Sequence, residues 1–411
     1  MKYKRLLIYV PVVVTIALFG QILGHDFLYR WDDQWVVINV YTNLGLNLSN
    51  LWDVMTTFYH GQYAPFNELA YMTVHEMFGY NPGAFHAMSL LLHVGNVMLV
   101  YVFLRKLLDM NNIGEERQHK RVAWLASLIF GIHPVTVESV VWVSASKILV
   151  YSFFYLLALI LYLDYTKKPT TNRYIGLMFL FTASFFGKEQ AVVFPLCLIL
   201  IDWFSGRDVP WRQLLLEKVP FFVMALFFGI VTILSQGHSE SMPEYAASER
   251  FFFGSYSLFE YMLKAMLPVN LSYVYPFPCQ PGDTMPTVFY IYPLIIISIA
   301  FLIYMFRSQR IIIFSSLFFL IHILVALHII PMSRFTIVAD RYNYMSLIGC
   351  VLFISWCVVS MMRYKKTVTL ALTISFLVYL GDYTNMYTKQ WKNSETLKQH
   401  VKEVISQRGD K

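Results

Sequence analysis

Long apolar runs separated by short clusters of basic residues constrain this chain more than any other feature. A helix needs about 20 mainly apolar residues to cross a bilayer, and the sequence contains about eleven runs of that kind. Charged residues make up only 14% of the chain, whereas a soluble protein typically carries about 25%. The chain is therefore predicted to be an all-α polytopic membrane protein, not a soluble enzyme, a disulfide scaffold or a disordered protein. The predicted spans are 6–24, 84–104, 122–138, 148–165, 174–187, 190–204, 219–235, 288–306, 311–330, 342–362 and 367–383.

The loops between these spans give the orientation, because cytoplasmic loops carry an excess of Lys and Arg. If the N-terminus is cytoplasmic, nineteen of these residues lie on the cytoplasmic side and seven on the outer side before the C-terminal tail. This assignment places a first loop at 25–83, a second large loop at 236–287 and a turn at 331–341 on the outer face. The apolar stretch 251–272 then has to lie along the outer interface instead of crossing the bilayer.

Dense polar clusters lie at the outer ends of several predicted spans, where an ionisable group is costly unless it is paired or functional. In the first outer loop, Asp32 and Asp33 are adjacent carboxylates that could supply a general base or hold a cation. Carboxylates in one outer loop and three or more cations in others suit a reaction whose leaving group is a phosphate. The remaining clusters contain His133 and Glu138 followed by Lys147, then Lys188 with Glu189, and last Asp340 with Arg341.

A series of short motifs runs through nearly the whole chain. The motifs are Trp31-Asp32-Asp33, Tyr63-Ala64-Pro65-Phe66, Phe85-His86, Leu91-Leu92-His93, His133-Pro134 through Glu138, Lys188-Glu189-Gln190, Glu217-Lys218-Val219-Pro220-Phe221-Phe222, Tyr275-Pro276-Phe277-Pro278 and Ala339-Asp340-Arg341-Tyr342. In this order they resemble the transmembrane O-mannosyltransferases with tetratricopeptide repeats and their bacterial relatives, which belong to the GT-C class of polytopic glycosyltransferases. That resemblance implies a GT-C type bundle, with interfacial helices in the first outer loop.

The resemblance also implies a reaction. Members of the class take a sugar, which the resemblance suggests is mannose here, from a polyprenyl-phosphate carrier. They transfer it to a hydroxyl acceptor on a protein Ser or Thr, a lipid or a glycan. The first acid of the pair, Asp32, is by resemblance the base, and Asp33 either orients it or binds a divalent cation. We assign stabilisation of the departing phosphate to Lys147, Lys188 and Arg341. Supporting roles fall to His133, Glu138, Glu189 and Asp340. The lipid-linked sugar is the donor substrate, and no cofactor is predicted apart from the divalent cation that Asp33 could bind.

The chain departs from the family pattern in three places. The family's Tyr-Arg-Pro-Leu reads Tyr63-Ala64-Pro65-Phe66 and lacks the arginine, and its Ser-Glu-Arg-Lys-Asp reads Ser144-Ala145-Ser146-Lys147-Ile148, which keeps only the lysine among the charged positions. No repeat period is found in the tail. We therefore expect a transferase domain at 1–383, a short amphipathic tail at 384–411 and a bacterial inner membrane as host.

Each cluster also has a purely structural interpretation. Asp32 and Asp33 could cap a helix and pair with Arg30, and Arg341 could reach lipid headgroups. Lys147 and Glu138 could pair with each other, and Lys188-Glu189 could be an ordinary turn.

Other chemistry has less support in the sequence. His86 and His93 are seven residues apart, a spacing that would suit metal ligands on one helical face, but a buried packing role is favoured, and no metal site is predicted. No basic stripe predicts nucleic-acid binding. Two alternative functions stay open, a transporter or flippase for an anionic lipid or solute, and an inactive membrane scaffold.

Overall fold

The computed structural model describes residues 9–111, 114–236, 245–328 and 336–409. Within these ranges the secondary structure is helical apart from one isolated bridge between Tyr59 and Gln62, so the all-α prediction is confirmed. Parts of the predicted spans 6–24 and 311–330, of the predicted outer segments 236–287 and 331–341, and of the tail lie outside the described residues. In chain order the α-helices are α1 (Val10–Phe19), α2 (Asp33–Val36), α3 (Val40–Leu44), α4 (Leu48–Thr56), α5 (Pro65–Phe78), α6 (Pro82–Met110), α7 (Glu116–Ile132), α8 (Val137–Val141), α9 (Lys147–Lys167), α10 (Thr171–Phe185), α11 (Phe194–Ser205), α12 (Trp211–Gln236), α13 (Ala247–Met266), α14 (Tyr292–Met305), α15 (Arg310–Ile323), α16 (Asn343–Met361), α17 (Lys366–Gln390) and α18 (Ser394–Gly409).

Several of these helices are long and apolar enough to cross a bilayer, which indicates a membrane protein. Among the described residues there are six, and a seventh if α7 and the bent segment Pro134–Val141, which meet at 53°, form one span. The predicted count of eleven is therefore not confirmed. The six are Pro82–Met110, Val143–Lys167, Trp211–Ser235, Thr287–Met305, Asp340–Met361 and Lys366–Gln390.

Short helices account for the difference in number. Helices α10 and α11 have 15 and 12 residues, which corresponds to roughly 22 and 18 Å, less than the roughly 30 Å of the hydrocarbon core. The apolar segments Val10–Gly24 and Arg310–Ala326 are also short. Apolar composition alone did not distinguish such segments from complete spans.

A proline causes the bend between α7 and α8. The residue before a proline is disfavoured in the α conformation, and His133, which precedes Pro134, has an extended backbone with φ −76° and ψ 129°. Helix α7 therefore ends at Ile132. The bend leaves His133 buried in an extended conformation before the 3-10 turn Pro134–Thr136, which leads to Glu138.

The buried centre of the bundle is formed by α6, α7, α9 and α16, with α15 packed against α16. Close approach of α15 and α16 depends on Gly349, since a Cβ at this position would lie 2.4 Å from the backbone oxygen of Ser315. Small residues commonly allow such contacts between membrane helices. By contrast, α14 has no buried residue, as expected for a helix whose apolar side chains face lipid.

The C-terminal segment is packed into this bundle. Helix α17 continues past the predicted boundary at 383 and ends at Gln390, and α18 begins at Ser394 after a short turn. Trp391 and Leu397 are fully buried in the main apolar core. The predicted amphipathic tail at 384–411 is thus interrupted by a turn that brings Trp391 against Trp142 and Tyr273.

Candidate active site

Asp32 lies immediately before the short helix α2, in a conformation that non-glycine residues seldom adopt. Its φ is 80°, in the left-handed region, where backbone strain often marks a functional position. The Asp32 carbonyl accepts hydrogen bonds from the backbone N–H groups of Trp35 at 3.0 Å and Val36 at 2.9 Å. Its carboxylate Oδ1 accepts a hydrogen bond from Trp35 Nε1 at 3.2 Å. The partly buried carboxylate is therefore oriented by the first turn of α2.

Asp33 is fully buried and joins two segments of the chain. Its Oδ2 accepts a hydrogen bond from the Leu28 N–H at 2.7 Å, and its Oδ1 accepts one from the Ser144 N–H at 3.0 Å and a second from the Ser144 hydroxyl. Burial raises the pKa of Asp33 to about 6, although these donors oppose the shift. Asp33 thus holds the loop that carries Asp32 and Asp33, here called the acidic loop, against the segment before α9.

The suggested pairing of the two acids with Arg30 is not observed. Arg30 forms its ion pair with Glu395 of α18 at 3.1 Å, and both side chains are exposed. Asp32 precedes α2 but makes no side-chain cap of that helix. The acidic pair is consequently held by Trp35, Leu28 and Ser144, not by a surface ion pair.

Glu138 and Arg341 form a buried pair that the sequence did not predict. The guanidinium of Arg341 donates to Glu138 Oε1 at 2.5 Å, and the Arg341 backbone N–H donates to Oε2 at 2.8 Å. The guanidinium also lies over the rings of Trp142 and Tyr342, at 5.4 and 5.0 Å from their centroids. Glu138 therefore pairs with Arg341 and not with Lys147, and Arg341 faces the protein interior instead of the headgroups.

Lys188 lies on the same side of the bundle as Arg341. Its ammonium is 5.7 Å from the centroid of the Tyr342 ring and 3.0 Å from Glu189 Oε1. The Arg341 guanidinium lies 5.0 Å from the same centroid, so the two cationic centres are at most about 11 Å apart. Gly187 allows this placement, because a Cβ there would lie 2.6 Å from the Tyr151 backbone nitrogen in α9.

Lys147, at the start of α9, completes a group of three cations. Its ammonium donates to Gln62 Oε1 at 2.6 Å and interacts electrostatically with Lys188 and Arg341 as well as with Glu189. The structure thus brings together the three cations that the sequence placed in separate loops. Glu138 and Glu189 balance part of this charge, which leaves the group with one cation in excess.

Tyr273 connects the acidic loop with these cations, and sequence reasoning missed it. Its ring centroid lies 4.9 Å from that of Trp31 and 5.2 Å from that of Trp142, and its hydroxyl interacts electrostatically with Arg341, Asp32 and Glu138. Burial raises the pKa of Tyr273, so the hydroxyl stays protonated. Nothing in the sequence separates Tyr273 from the many other tyrosines of the chain.

The turn after α17 also reaches the site without having been predicted to do so. The ring of Trp391 lies 6.4 Å from that of Trp142 and 5.9 Å from that of Tyr273. The Trp31 indole N–H donates to the Ser394 carbonyl at 3.4 Å, and the Lys392 carbonyl accepts the N–H of Asp26 at 3.0 Å. The start of the tail therefore packs against the acidic loop and holds it in place.

The other predicted supporting residues hold segments of the chain in place. Both carboxylate oxygens of Asp340, which is fully buried, accept the Tyr275 hydroxyl at 2.9 Å. His133 is also fully buried, and its Nδ1 accepts the Val135 N–H at 3.3 Å. Glu189 pairs with Lys188, as described above. These contacts position the motifs and do not place Asp340 or His133 among the three cations.

The two histidines of α6 have no arrangement that resembles a metal site. His93 contacts the Tyr344 hydroxyl through Nδ1 at 2.8 Å and the Gly131 carbonyl through Nε2 at 3.2 Å, which is a core packing role. The His86 ring lies 5.9 Å from that of His25. Among the residues that the structure describes, no group of three or more His, Cys, Asp or Glu side chains could hold a metal ion.

Comparison with known proteins finds similarity to the same kind of protein that the motifs indicated. A protein O-mannosyl-transferase of Caenorhabditis elegans is 22% identical over 409 residues, which covers 94% of this chain and 56% of that protein. The human protein O-mannosyl-transferases TMTC2 and TMTC4 are 24% and 28% identical, over 56% and 38% of this chain and 28% and 22% of their own lengths. The predicted resemblance is confirmed.

This chain matches only part of each relative. The chain spans about half the length of the Caenorhabditis elegans relative and a smaller share of the human ones, and no family model matches it. At this low identity, the named relatives support a glycosyltransferase role.

Proposed function

We propose that the protein is a membrane glycosyltransferase that moves a hexose from a polyprenyl phosphate to a hydroxyl acceptor, with inversion at the anomeric carbon. The names of the relatives indicate that the hexose is mannose. The names of the relatives point to a protein as the acceptor. One observation carries the proposal. Three cations, Lys147, Lys188 and Arg341, are gathered beside an aromatic cluster that also contacts the loop of Asp32.

Asp32 is the base in this proposal. It takes the proton of the acceptor hydroxyl as the acceptor oxygen forms a bond to the anomeric carbon. The bond between that carbon and the phosphate oxygen breaks, and its electron pair leaves with the phosphate. A positioned side-chain base typically contributes about 10² to 10⁴-fold in rate, and the hydrogen bond from Trp35 Nε1 aims the carboxylate without neutralising it.

The cations stabilise the negative charge that grows on the phosphate. A guanidinium has five N–H donors, so Arg341 can bind Glu138 with one and still donate to a phosphate oxygen with others. Lys188 and Lys147 act as point charges. Each well-placed donor in a site of this kind contributes about 3 to 4 kcal/mol to the transition state.

The asymmetric distribution of Lys and Arg supports a site on the outer face, with the N-terminus in the cytoplasm. We place the protein in a bacterial inner membrane. The donor would then reach the site laterally from the outer leaflet, while the acceptor would enter from water.

A transfer assay tests the proposal. The purified protein is mixed with short-chain polyprenyl-phosphate mannose and a Ser- and Thr-containing peptide, and the glycosylated peptide is measured by mass spectrometry. Asp32→Asn should lower turnover at least about 100-fold, whereas Asp26→Asn, which removes an exposed carboxylate of the same loop, should leave it unchanged. Wild-type turnover by Asp32→Asn would show that Asp32 is not the base, and absence of transfer by the wild type would overturn the proposed function.

A further inference from the structure

A cavity open to solvent lies between the first outer loop and the start of α9. Its walls contain aromatic, amide and charged side chains in close proximity. Apolar walls with a few convergent polar groups are typical of small-molecule sites. The lining residues that matter here are Trp35, Tyr59, Gln62, Tyr63, Glu68 and Lys147.

The cavity touches both halves of the candidate active site. On one wall, the Trp35 indole N–H donates to Asp32. On another, Lys147 belongs to the three cations and is held by Gln62 at 2.6 Å. In a sugar phosphate the anomeric carbon is bonded to a phosphate oxygen, so the space beside a phosphate-binding cation is the place for the sugar ring.

Glu68, on α5, gives the cavity a hydrogen-bond acceptor. Its Oε1 accepts the side-chain N–H of Asn39 at 2.7 Å. In the described part of the chain, Glu68 has no ion pair, and its Oε2 accepts no hydrogen bond. Burial raises the pKa of Glu68 to about 7, because no cation compensates its charge. A carboxyl group left in this state gains most from a ligand with several hydroxyl groups.

The aromatic walls are held rigidly. Tyr59 and Gln62 exchange two backbone hydrogen bonds, at 3.1 and 2.9 Å, across a turn in which His60 and Gly61 both have positive φ, 47° and 73°. Two such residues make the tight turn that joins antiparallel strands. The His60 ring lies 5.2 Å from that of Trp35, so the turn fixes one wall against the other.

We propose that this cavity binds the sugar ring of the lipid-linked donor, with Glu68 accepting hydrogen bonds from the sugar hydroxyls and Trp35 and Tyr59 contacting its apolar C–H face. The inference rests on the proposed function, since it takes the donor to be a polyprenyl-phosphate sugar. It makes Glu68 a specificity residue. A site built to hydrogen-bond a hydroxyl strongly rejects an analogue that lacks it.

Binding measurements with two ligands test the inference without depending on transfer. The ligands are a short-chain polyprenyl-phosphate mannose and the same polyprenyl phosphate without the sugar, and their dissociation constants are measured by calorimetry on the full chain in detergent. At about pH 8.5, where the Glu68 carboxyl is mostly ionised, Glu68→Gln should weaken binding of the sugar-bearing ligand about 10- to 100-fold, as expected for loss of hydrogen bonds to a charged group. Binding of the sugar-free ligand should not change.

Glu76→Gln is the matched control, because Glu76 lies on the same helix but is exposed. It should leave the affinity for both ligands unchanged. Equal weakening of both ligands by Glu68→Gln, or no weakening of either, would overturn the inference. So would a loss of affinity for the acceptor peptide with donor affinity intact.

These outcomes separate the inference from the function on which it rests. If Asp32→Asn abolishes transfer and Glu68→Gln binds the sugar-bearing ligand normally, the proposed function stands and the cavity is not the sugar site. If sugar-dependent binding requires Glu68 but the wild type transfers nothing, the sugar site stands and the transferase proposal fails.

Discussion

The carboxylate of Glu138 accepts two hydrogen bonds from Arg341, one from its backbone N–H at 2.8 Å and one from its guanidinium at 2.5 Å. Glu138 has no exposed surface, and the Arg341 side chain is 19% exposed. The pair therefore joins the bent segment after α7 to the start of α16 and fixes the direction of the guanidinium. The pair therefore determines the position of the Arg341 guanidinium within the group of three cations.

Removal of the Glu138 charge should destabilise the protein strongly. Breaking a buried pair leaves an uncompensated charge, which typically costs about 3 to 5 kcal/mol. We expect Glu138→Gln to lower the free energy of unfolding, measured by denaturant titration in mild detergent, by an amount of this order. Glu395→Gln removes a partner of an ion pair whose side chains are 69% and 70% exposed, and should cost at most about 1 kcal/mol. Equal effects would contradict the importance of burial.

Loss of Lys188 should slow transfer more than it weakens binding. We expect Lys188→Gln to lower kcat about 100-fold, because the charge it stabilises grows only as the phosphate departs. An interaction made only in the transition state lowers kcat and kcat/KM equally. Steady-state kinetics with varied donor checks this. The control is Lys168→Gln, which replaces an exposed lysine at the opposite end of α9 from Lys147. A rise in KM with unchanged kcat would assign Lys188 to ground-state binding.

The stability of the fold should depend on pH through Asp33. Burial raises the pKa of Asp33 to about 6. As the pH rises, the unfolded chain therefore loses this proton before the folded chain does. The contribution of Asp33 to stability is present in full below about pH 4 and is lost as the pH passes about 6, a change of about 3 kcal/mol.

A comparison with Asp33→Asn isolates this contribution from other titrating groups. The free energy of unfolding of the wild type minus that of the variant should fall between pH 4 and pH 7 and stay level above it. The variant should be the less stable protein at pH 4, since an amide cannot accept from both Leu28 and Ser144. A difference that increases with pH would show that the carboxylate is stabilised by its donors more than it is destabilised by burial.

Trp391 should be required for stability although it lies in the tail. It is fully buried against Trp142 and Tyr273, and replacement of a buried tryptophan by alanine typically costs about 3 to 5 kcal/mol. We expect Trp391→Ala to lower Tm markedly and Trp391→Phe to restore part of the loss. Trp211 is 66% exposed, so Trp211→Ala should change Tm little. A small effect of Trp391→Ala would show that the tail is dispensable for the fold.

The fold was largely predictable because apolar runs require helices wherever lipid is the solvent. The number of spans was not, because α10 and α11 are apolar but, with 15 and 12 residues, shorter than the roughly 20 residues that a span needs. Their ends depend on Gly187 against Tyr151 and on the 3-10 turn at Glu189–Val193. Such close contacts between distant segments have no periodic signal in a single sequence.

The sequence by itself determined which charged groups lie at the ends of apolar helices. Asp32, Lys147, Lys188 and Arg341 could be chosen because ionisable side chains are rare in this chain and costly near lipid. The motifs also indicated the family, and the comparisons agree with them. Composition and spacing are local properties, and they were sufficient for these conclusions.

The tertiary structure alone decided which of those groups meet. Glu138 pairs with Arg341 and not with the nearer Lys147, and Tyr273 and Trp391 join the site from segments that carry no motif. The physical reason is that hydrogen bonds and ring contacts act over a few ångströms in space, whereas these contacts join residues that are about 200 positions or more apart in the chain. Packing of α7, α9 and α16 around one core brings them together.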